Sequence, residues 1–186
     1  MTPNTDVQVA RKCRRLFYDK TTGDVMGLTS GGGVAEHMTG DALILATFTM
    51  RDSEGNAIDP LTVVGCVEEY FAPLHGRKPL RVDLTKVQAC CDAVDAHRAA
   101  VQAESDFVFE KGIKLFGSEQ PTTAALRHLL KVQEMHTRDN PDRVSDHDAV
   151  VQAQTDLEAL CKTCEDCCEQ LLVTRDAAVT FAEPAS

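Results

Sequence analysis

Apolar side chains recur at alternating steps of three and four residues along the last part of the chain. They are Val150, Ala153, Leu157, Leu160, Cys164, Cys167 and Leu171. This is the heptad spacing of an a/d seam, and so narrow an apolar stripe is typical of a coiled coil or helical bundle. We therefore predict a long last helix whose seam mediates self-association, although a helical hairpin within one chain satisfies the same pattern.

Two earlier segments also have helical periodicity. Leu80 before Asp83 has the arrangement of a hydrophobic staple and an N-cap, and it predicts a helix that runs to about Phe116. Pro121 stands where a second helix can begin, and the turn residues of Asp139–Asp142 end that helix. These patterns therefore predict a bundle of long helices in the second half of the chain.

The first half has the alternation and turn chemistry of β-structure. A hairpin is predicted around Lys20–Gly23, where glycine takes positive φ without steric cost. The alternation over Ala42–Met50 predicts a strand, and the Val-rich segment Leu61–Phe71 predicts a second long strand. The run Gly31–Gly33 lacks the Lys-Ser/Thr of a phosphate-binding loop and predicts a flexible connection.

These patterns together predict an α+β fold. A small antiparallel β-rich docking domain over residues 1–78 precedes a long-helix hairpin or bundle over residues 79–186, whose last helix is coiled-coil-like. Nine of the 11 glycines precede residue 79, which supports the boundary.

Composition narrows the class of protein. The chain is 43% hydrophobic and 26% charged, close to the averages for globular proteins, and this composition argues against wholesale disorder. A net charge of −10 repels phosphate backbones, so we expect no nucleic-acid partner. No apolar run is long enough to cross a bilayer, and Met1–Asp6 lacks the features of a signal peptide. We expect a soluble protein made in the cytoplasm, without a membrane partner.

The cysteine content changes this picture, because eight cysteines are many for such a protein. They are Cys13, Cys66, Cys90, Cys91, Cys161, Cys164, Cys167 and Cys168. Three interpretations compete: small core side chains, a metal or iron–sulfur site, and disulfides that form after the protein leaves the cytoplasm.

The segment Cys161–Cys168 resembles the three-cysteine run of bacterial ferredoxins, with two residues between successive thiols. The ferredoxin pattern continues with a fourth cysteine followed by proline, whereas Glu169 follows Cys168 here. If two helices are antiparallel neighbours, a zinc site can be assembled from Cys161, Cys164, Cys168 and Cys91. Buried cysteine serves more often as a small apolar residue, so we expect no metal and no other cofactor.

Disulfides are the third interpretation. The candidate residues are Cys90, Cys91, Cys161 and Cys168, which are expected beside the helical seam or facing it. The cytoplasm keeps thiols reduced, so we expect these bridges only after release into an oxidising medium. Cys164 and Cys167 are expected to fill the seam as small apolar groups.

Catalytic motifs are missing from the sequence. It contains no nucleophile elbow, phosphate loop, dinucleotide fingerprint or HExxH pair among its six histidines. We therefore expect a protein that is not an enzyme.

Two segments resemble the N-terminal β-domains of bacteriophage baseplate and tail-fibre proteins. They are Leu16–Asp24, with its hairpin turn, and Thr47–Asp59, with an acidic-Gly-Asn turn between two strands. Pro60 and the residues after it replace the Leu-Thr-Gly usual in that family.

This resemblance implies a structural component of a phage particle, at the collar, tail, baseplate or capsid. Such a protein is expected to form a homo-oligomer, to bind other virion proteins, and to reside in the virion after assembly in the host cytoplasm. The alternatives are a helical metal or redox protein and a cytoplasmic helical adaptor.

Overall fold

The structure is a computed structural model that describes residues 14–30, 37–69, 79–116, 121–140, 142 and 144–181. Within these residues, small antiparallel sheets precede long helices, which confirms the predicted α+β fold. The predicted connection Gly31–Gly33 and the residue Cys13 lie outside the described residues.

The strands are β1 (Arg14–Asp19), β2 (Val25–Ser30), β3 (Met50–Arg51), β4 (Ala57–Ile58), β5 (Val64–Glu69), β6 (Pro79–Val82) and β7 (Val179–Phe181). The helices are α1 (Gly40–Thr47), α2 (Pro60–Val63), α3 (Val87–Phe116), α4 (Thr123–Arg138) and α5 (Val144–Ala178). One antiparallel sheet has the strand order β2-β1-β5, and two further antiparallel pairs are β3-β4 and β6-β7. Among the described residues, no helix is both long and apolar enough to cross a membrane.

The chain divides into two compact units. The sheet unit contains the described residues up to Val94 and from Leu171 onward, and the helical unit is Asp95–Gln170. The boundary predicted from the glycine distribution lies instead at residue 79, between a β-rich domain and a helical domain. The structure differs because the beginning of α3 and the end of α5 belong to the sheet unit, and because the chain returns to β-structure in β7.

One face of the sheet carries the main core of the sheet unit. The buried residues are Leu16, Tyr18 and Val67 of the sheet, Val82 of β6, Cys90, Ala93 and Val94 of α3, Leu171 and Ala178 of α5, and Val179 of β7. This cluster explains why the ends of the two long helices belong with the strands: their apolar side chains cover the sheet.

A backbone junction joins the entrance of α3 to the exit of α5. The amide of Asp83 donates to the carbonyl of Ala178 at 2.7 Å, and the amide of Val82 donates to the carbonyl of Gly23 at 2.8 Å. Gly23 has φ +77°, and a Cβ on it would lie 2.2 Å from the Val82 carbonyl oxygen. Glycine is therefore required in the β1–β2 turn, as the sequence predicts, and also for a contact that the sequence does not reveal.

The strand predicted over Ala42–Met50 is wrong, because most of this segment forms α1. Thr39 caps the helix, and its Oγ1 accepts a hydrogen bond from the amide of Ala42 at 3.2 Å. Leu43 and Ile44 are buried against Phe17 and Val64 on the other face of the sheet. A short apolar run fits either period, and the capping threonine decides between them.

The long strand predicted over Leu61–Phe71 is correct only in part. Asp59 caps the single turn of α2, and its Oδ1 accepts from the amide of Leu61 at 3.0 Å. Pro60 occupies the first turn of α2, where its missing amide costs nothing. The strand begins at Val64, and the residues after Glu69 lie outside the described part.

The predicted long last helix is confirmed as α5, which has 35 residues. The core of the helical unit consists of Val108 of α3, Leu126 and Leu130 of α4, and Val150, Ala153 and Leu157 of α5. Leu160 and Cys167 are half-buried, whereas the other seam residues are buried. Between Val150 and Leu157 the seam thus packs against helices of its own chain, as the hairpin alternative requires.

Leu157 and Leu160 form a matched pair for testing this packing. Leu157 is 1% exposed in the core of the helical unit, so Leu157→Ala should lower the free energy of unfolding by about 2–5 kcal/mol. Leu160→Ala should cost clearly less, because its side chain is half-buried. Urea unfolding followed by circular dichroism measures both values. Equal losses, accompanied by a fall in oligomeric mass, would place this stretch of the seam between chains instead.

Candidate functional site

Among the described residues, no group of cysteines forms a candidate metal site. Seven of them lie among the described residues, and each is a thiol there. Cys90 is fully buried in the core of the sheet unit, beside Leu16 and Val94, where it serves as a small apolar side chain. Cys91, its neighbour on α3, is half-buried.

The ferredoxin-like run Cys161–Cys168 lies within the uninterrupted helix α5. An α-helix distributes such side chains over different faces, whereas ferredoxin loops wrap them around one cluster. In the part of the chain that the structure describes, no group of three or more possible ligands surrounds a common point. Of the four candidate zinc ligands, Cys161, Cys164 and Cys168 belong to the helical unit and Cys91 to the sheet unit.

The candidate disulfide residues are divided in the same way. Cys90 and Cys91 belong to the sheet unit, and Cys161 and Cys168 to the helical unit. All four are thiols in the structure, so a bridge formed on oxidation stays a prediction.

Cys161 belongs to a polar cluster that joins three helices, which we call the thiol cluster: Glu104 of α3, Thr123 and Arg127 of α4, and Cys161 of α5. Arg127 Nη2 donates to Cys161 Sγ at 3.3 Å, and the thiol donates to Glu104 Oε1 at 3.8 Å. The same carboxylate oxygen accepts from Thr123 Oγ1 at 2.8 Å. A side chain from each helix of the helical unit thus takes part in one network.

Electrostatics keep the Cys161 thiol protonated. Burial raises its pKa first, and the negative charge of Glu104 raises it further. Arg127 lowers the pKa but does not reverse the shift. Nucleophiles and metal ligands require the thiolate, so this environment suits a structural tie better than an activated nucleophile.

A surface pocket of about 270 Å³ adjoins the thiol cluster. It is lined by Leu130 and Leu157, by the basic side chains of Arg127 and Lys131, and by the polar side chains of Glu134, Gln154 and Glu158. Gln154 Nε2 donates to Glu134 Oε2 at 3.3 Å. Two positive and two negative side chains line the pocket, so their formal charges balance.

A buried ion pair lies on the sheet. Arg15 of β1 is buried, its Nε donates to Glu68 Oε1 at 2.9 Å, and a terminal nitrogen donates to the carbonyl of Met38 at 2.7 Å. The pair joins β1 to β5 and to the segment before α1. It is a structural contact, since the guanidinium is occupied by protein acceptors.

The helical unit exposes large apolar side chains. They are Phe109 and Ile113 of α3, Val132 and Met135 of α4, and Val144 and Val151 of α5. Phe109 is 57% exposed and Ile113 is 43% exposed. These two stand one helical turn apart, so they lie on the same stripe of α3.

Sequence reasoning missed the thiol cluster. Thr123 and Arg127 have i,i+4 spacing on α4, which places them on one face, but no local pattern connects them to Glu104 or Cys161. Only the packing of three helices brings these residues together.

Comparison with known proteins gives no relative: no family model, curated protein or solved structure matches the chain.

The raised pKa of Cys161 can be measured directly. Alkylation of its peptide by iodoacetamide, followed against pH by mass spectrometry, should reach half its maximal rate above the ordinary value of 9.0. Glu104→Gln removes a charge that raises the pKa and should shift the midpoint down, whereas Arg127→Ala should shift it up. Because the folded state holds this proton more tightly, the stabilisation is present below the thiol's unfolded pKa and is lost as the pH rises through the folded value. A wild-type midpoint at or below 9.0 would contradict the assignment.

Proposed function

We propose that the protein is a structural component of a phage particle and acts through protein–protein assembly rather than catalysis. The observation that carries the proposal is the combination of long helices, a thin core and exposed apolar side chains in the helical unit.

The core of the helical unit is small for the length of its helices. At about 1.5 Å per residue, the parts of α3 and α5 inside the unit, residues 95–116 and 144–170, are about 33 Å and about 40 Å long. The main buried cluster of the unit contains six side chains, and one of them is Ala153. Small units with little apolar burial often gain stability through association. This supports a helical unit that binds other proteins.

The stripe of Phe109 and Ile113 is the best candidate surface for a partner. Fully burying one such side chain contributes about 1.5–3 kcal/mol, and two on adjacent turns form a continuous contact. Scattered exposed apolar residues are common on protein surfaces, but an exposed phenylalanine beside an isoleucine is a typical element of an interface.

The turns that carry the phage resemblance support the same proposal. The turn between Asp19 and Asp24 joins β1 to β2, and the turn of Asp52–Asn56 joins β3 to β4. Asp52 Oδ1 accepts from the amides of Glu54 and Asn56, and the side chain of Asn56 donates to Asp52 Oδ2. Both segments are therefore hairpins with the turn chemistry on which the resemblance rests.

The proposal predicts that the protein is present in purified particles. Mass spectrometry of particles from the lysed host should find it there, enriched over the particle-free fraction. Phe109→Ser/Ile113→Ser should reduce its incorporation at least tenfold without changing its unfolding midpoint, because both side chains are exposed.

The matched control is Leu45→Ser/Val173→Ser, which removes two exposed apolar side chains of the sheet unit and should leave incorporation unchanged. Absence from particles, with all of the protein in the cytosol bound to another protein, would favour the helical adaptor and reject the virion function.

A further inference from the structure

The pocket between α4 and α5 is bounded at both ends by side-chain contacts. Arg127 of α4 donates to Cys161 of α5 at one end, and Gln154 of α5 donates to Glu134 of α4 at the other. The residue numbers rise along α4 as they fall along α5, so the two helices run antiparallel where they form the pocket. Positions 127 and 134 are seven residues apart, which is about 10 Å along the helix axis.

Two charged side chains line the pocket between these ends, Lys131 from α4 and Glu158 from α5. Both residues are exposed. Within the described part of the chain, neither side chain forms an ion pair or a hydrogen bond with another residue. The pocket therefore presents one ammonium and one carboxylate, from opposite helices, that no close protein partner neutralises.

The apolar lining of the pocket is fixed by the core of the helical unit. Leu130 and Leu157 are 0% and 1% exposed and belong to the main buried cluster of that unit. The volume of about 270 Å³ lies just below the roughly 300–1,000 Å³ of pockets that hold drug-sized ligands. A ligand that fits is therefore small, and part of it contacts leucine side chains.

We propose that this pocket binds a small zwitterion, an α-amino acid with an apolar side chain. The ligand carboxylate accepts from Lys131, the ligand ammonium donates to Glu158, and the apolar side chain lies on Leu130 and Leu157. A ligand with a single charge leaves one of the two protein charges without a partner. The balanced formal charge of the lining matches a ligand that is neutral overall and carries both charges. This site is independent of the proposed virion function.

The first test varies the charge of the ligand. L-leucine is titrated into the full chain and followed by saturation-transfer difference NMR, and we expect saturable binding. N-acetyl-L-leucine lacks the ammonium and L-leucinamide lacks the carboxylate. Each should bind about fivefold more weakly, the upper range for one exposed ion pair. Absence of saturable L-leucine binding, or equal binding of the three compounds, would overturn the proposal.

The second test assigns each ligand charge to its protein partner. Lys131→Gln and Glu158→Gln should each weaken L-leucine binding about fivefold. Lys131→Gln should not weaken L-leucinamide binding further, because that compound lacks the group that Lys131 contacts. Glu158→Gln should likewise leave N-acetyl-L-leucine binding unchanged. Contacting groups show such coupling, so losses that simply add would contradict the assigned contacts.

The matched controls are Lys162→Gln and Glu165→Gln, at exposed positions of α5 outside the pocket lining. They change the net charge in the same way and should bind L-leucine as the wild type does. All four substituted positions are exposed, so the unfolding midpoints should stay close to that of the wild type. Equal weakening by the pocket variants and the controls would show a general charge effect and reject the site.

The outcomes also separate this inference from the proposed function. A protein that is present in particles but does not bind L-leucine contradicts the zwitterion site and leaves the virion function standing. A protein that binds L-leucine with the predicted coupling but is absent from particles retains the site and contradicts the virion function.

Discussion

The rest of the structure depends on one junction, where the entrance of α3 and the exit of α5 are held together on the sheet. Strand β6 leads into α3 and strand β7 follows α5, and the two strands pair with each other. The hydrogen bond of Asp83 to Ala178 ties the entrance of α3 to the exit of α5, and that of Val82 to Gly23 connects β6 to the β1–β2 turn. Residues far apart in sequence therefore meet in one backbone network.

The junction explains how a small sheet and long helices form one fold. Closing a long loop costs conformational entropy, and the backbone bonds and buried side chains at its ends offset that cost. Cys90 and Val94 at the beginning of α3 and Leu171 and Ala178 at the end of α5 supply the burial. Asp83 strengthens the entrance: its pKa is lowered because the Thr85 hydroxyl and amide donate to its carboxylate. Because the beginning of α3 and the end of α5 are fixed in this way, the helical segment between them can fold around a thin core.

The sequence predicts those elements of the fold that local residue patterns determine. The heptad spacing identifies α5, and the Gly23 turn identifies the first hairpin. Prediction from the sequence fails where tertiary contacts determine the local structure. Strand β7 is three residues long and exists because β6 lies beside it, and α1 depends on the cap at Thr39 rather than on its apolar pattern.

The candidate functional surfaces likewise depend partly on local sequence and partly on tertiary packing. The cysteine spacing draws attention to Cys161 but does not reveal Arg127 and Glu104, which lie on other helices and determine its protonation. The exposed stripe of Phe109 and Ile113 on α3 becomes visible only once the buried faces are known. Cys90 and Cys164 are therefore buried packing residues, whereas the other described cysteines are half-buried.

We expect the junction to stabilise the whole fold, and two glycines test this. Gly23 and Gly55 both have positive φ, so alanine strains either backbone by roughly 1–2 kcal/mol. A Cβ at Gly55 meets nothing within 4 Å, whereas a Cβ at Gly23 collides with the Val82 carbonyl oxygen. The decisive measurement is urea unfolding of Gly23→Ala and Gly55→Ala, followed by the far-ultraviolet circular dichroism of the helices. We predict a clearly larger loss of helix stability for Gly23→Ala, and equal losses would contradict a stabilising role of the junction.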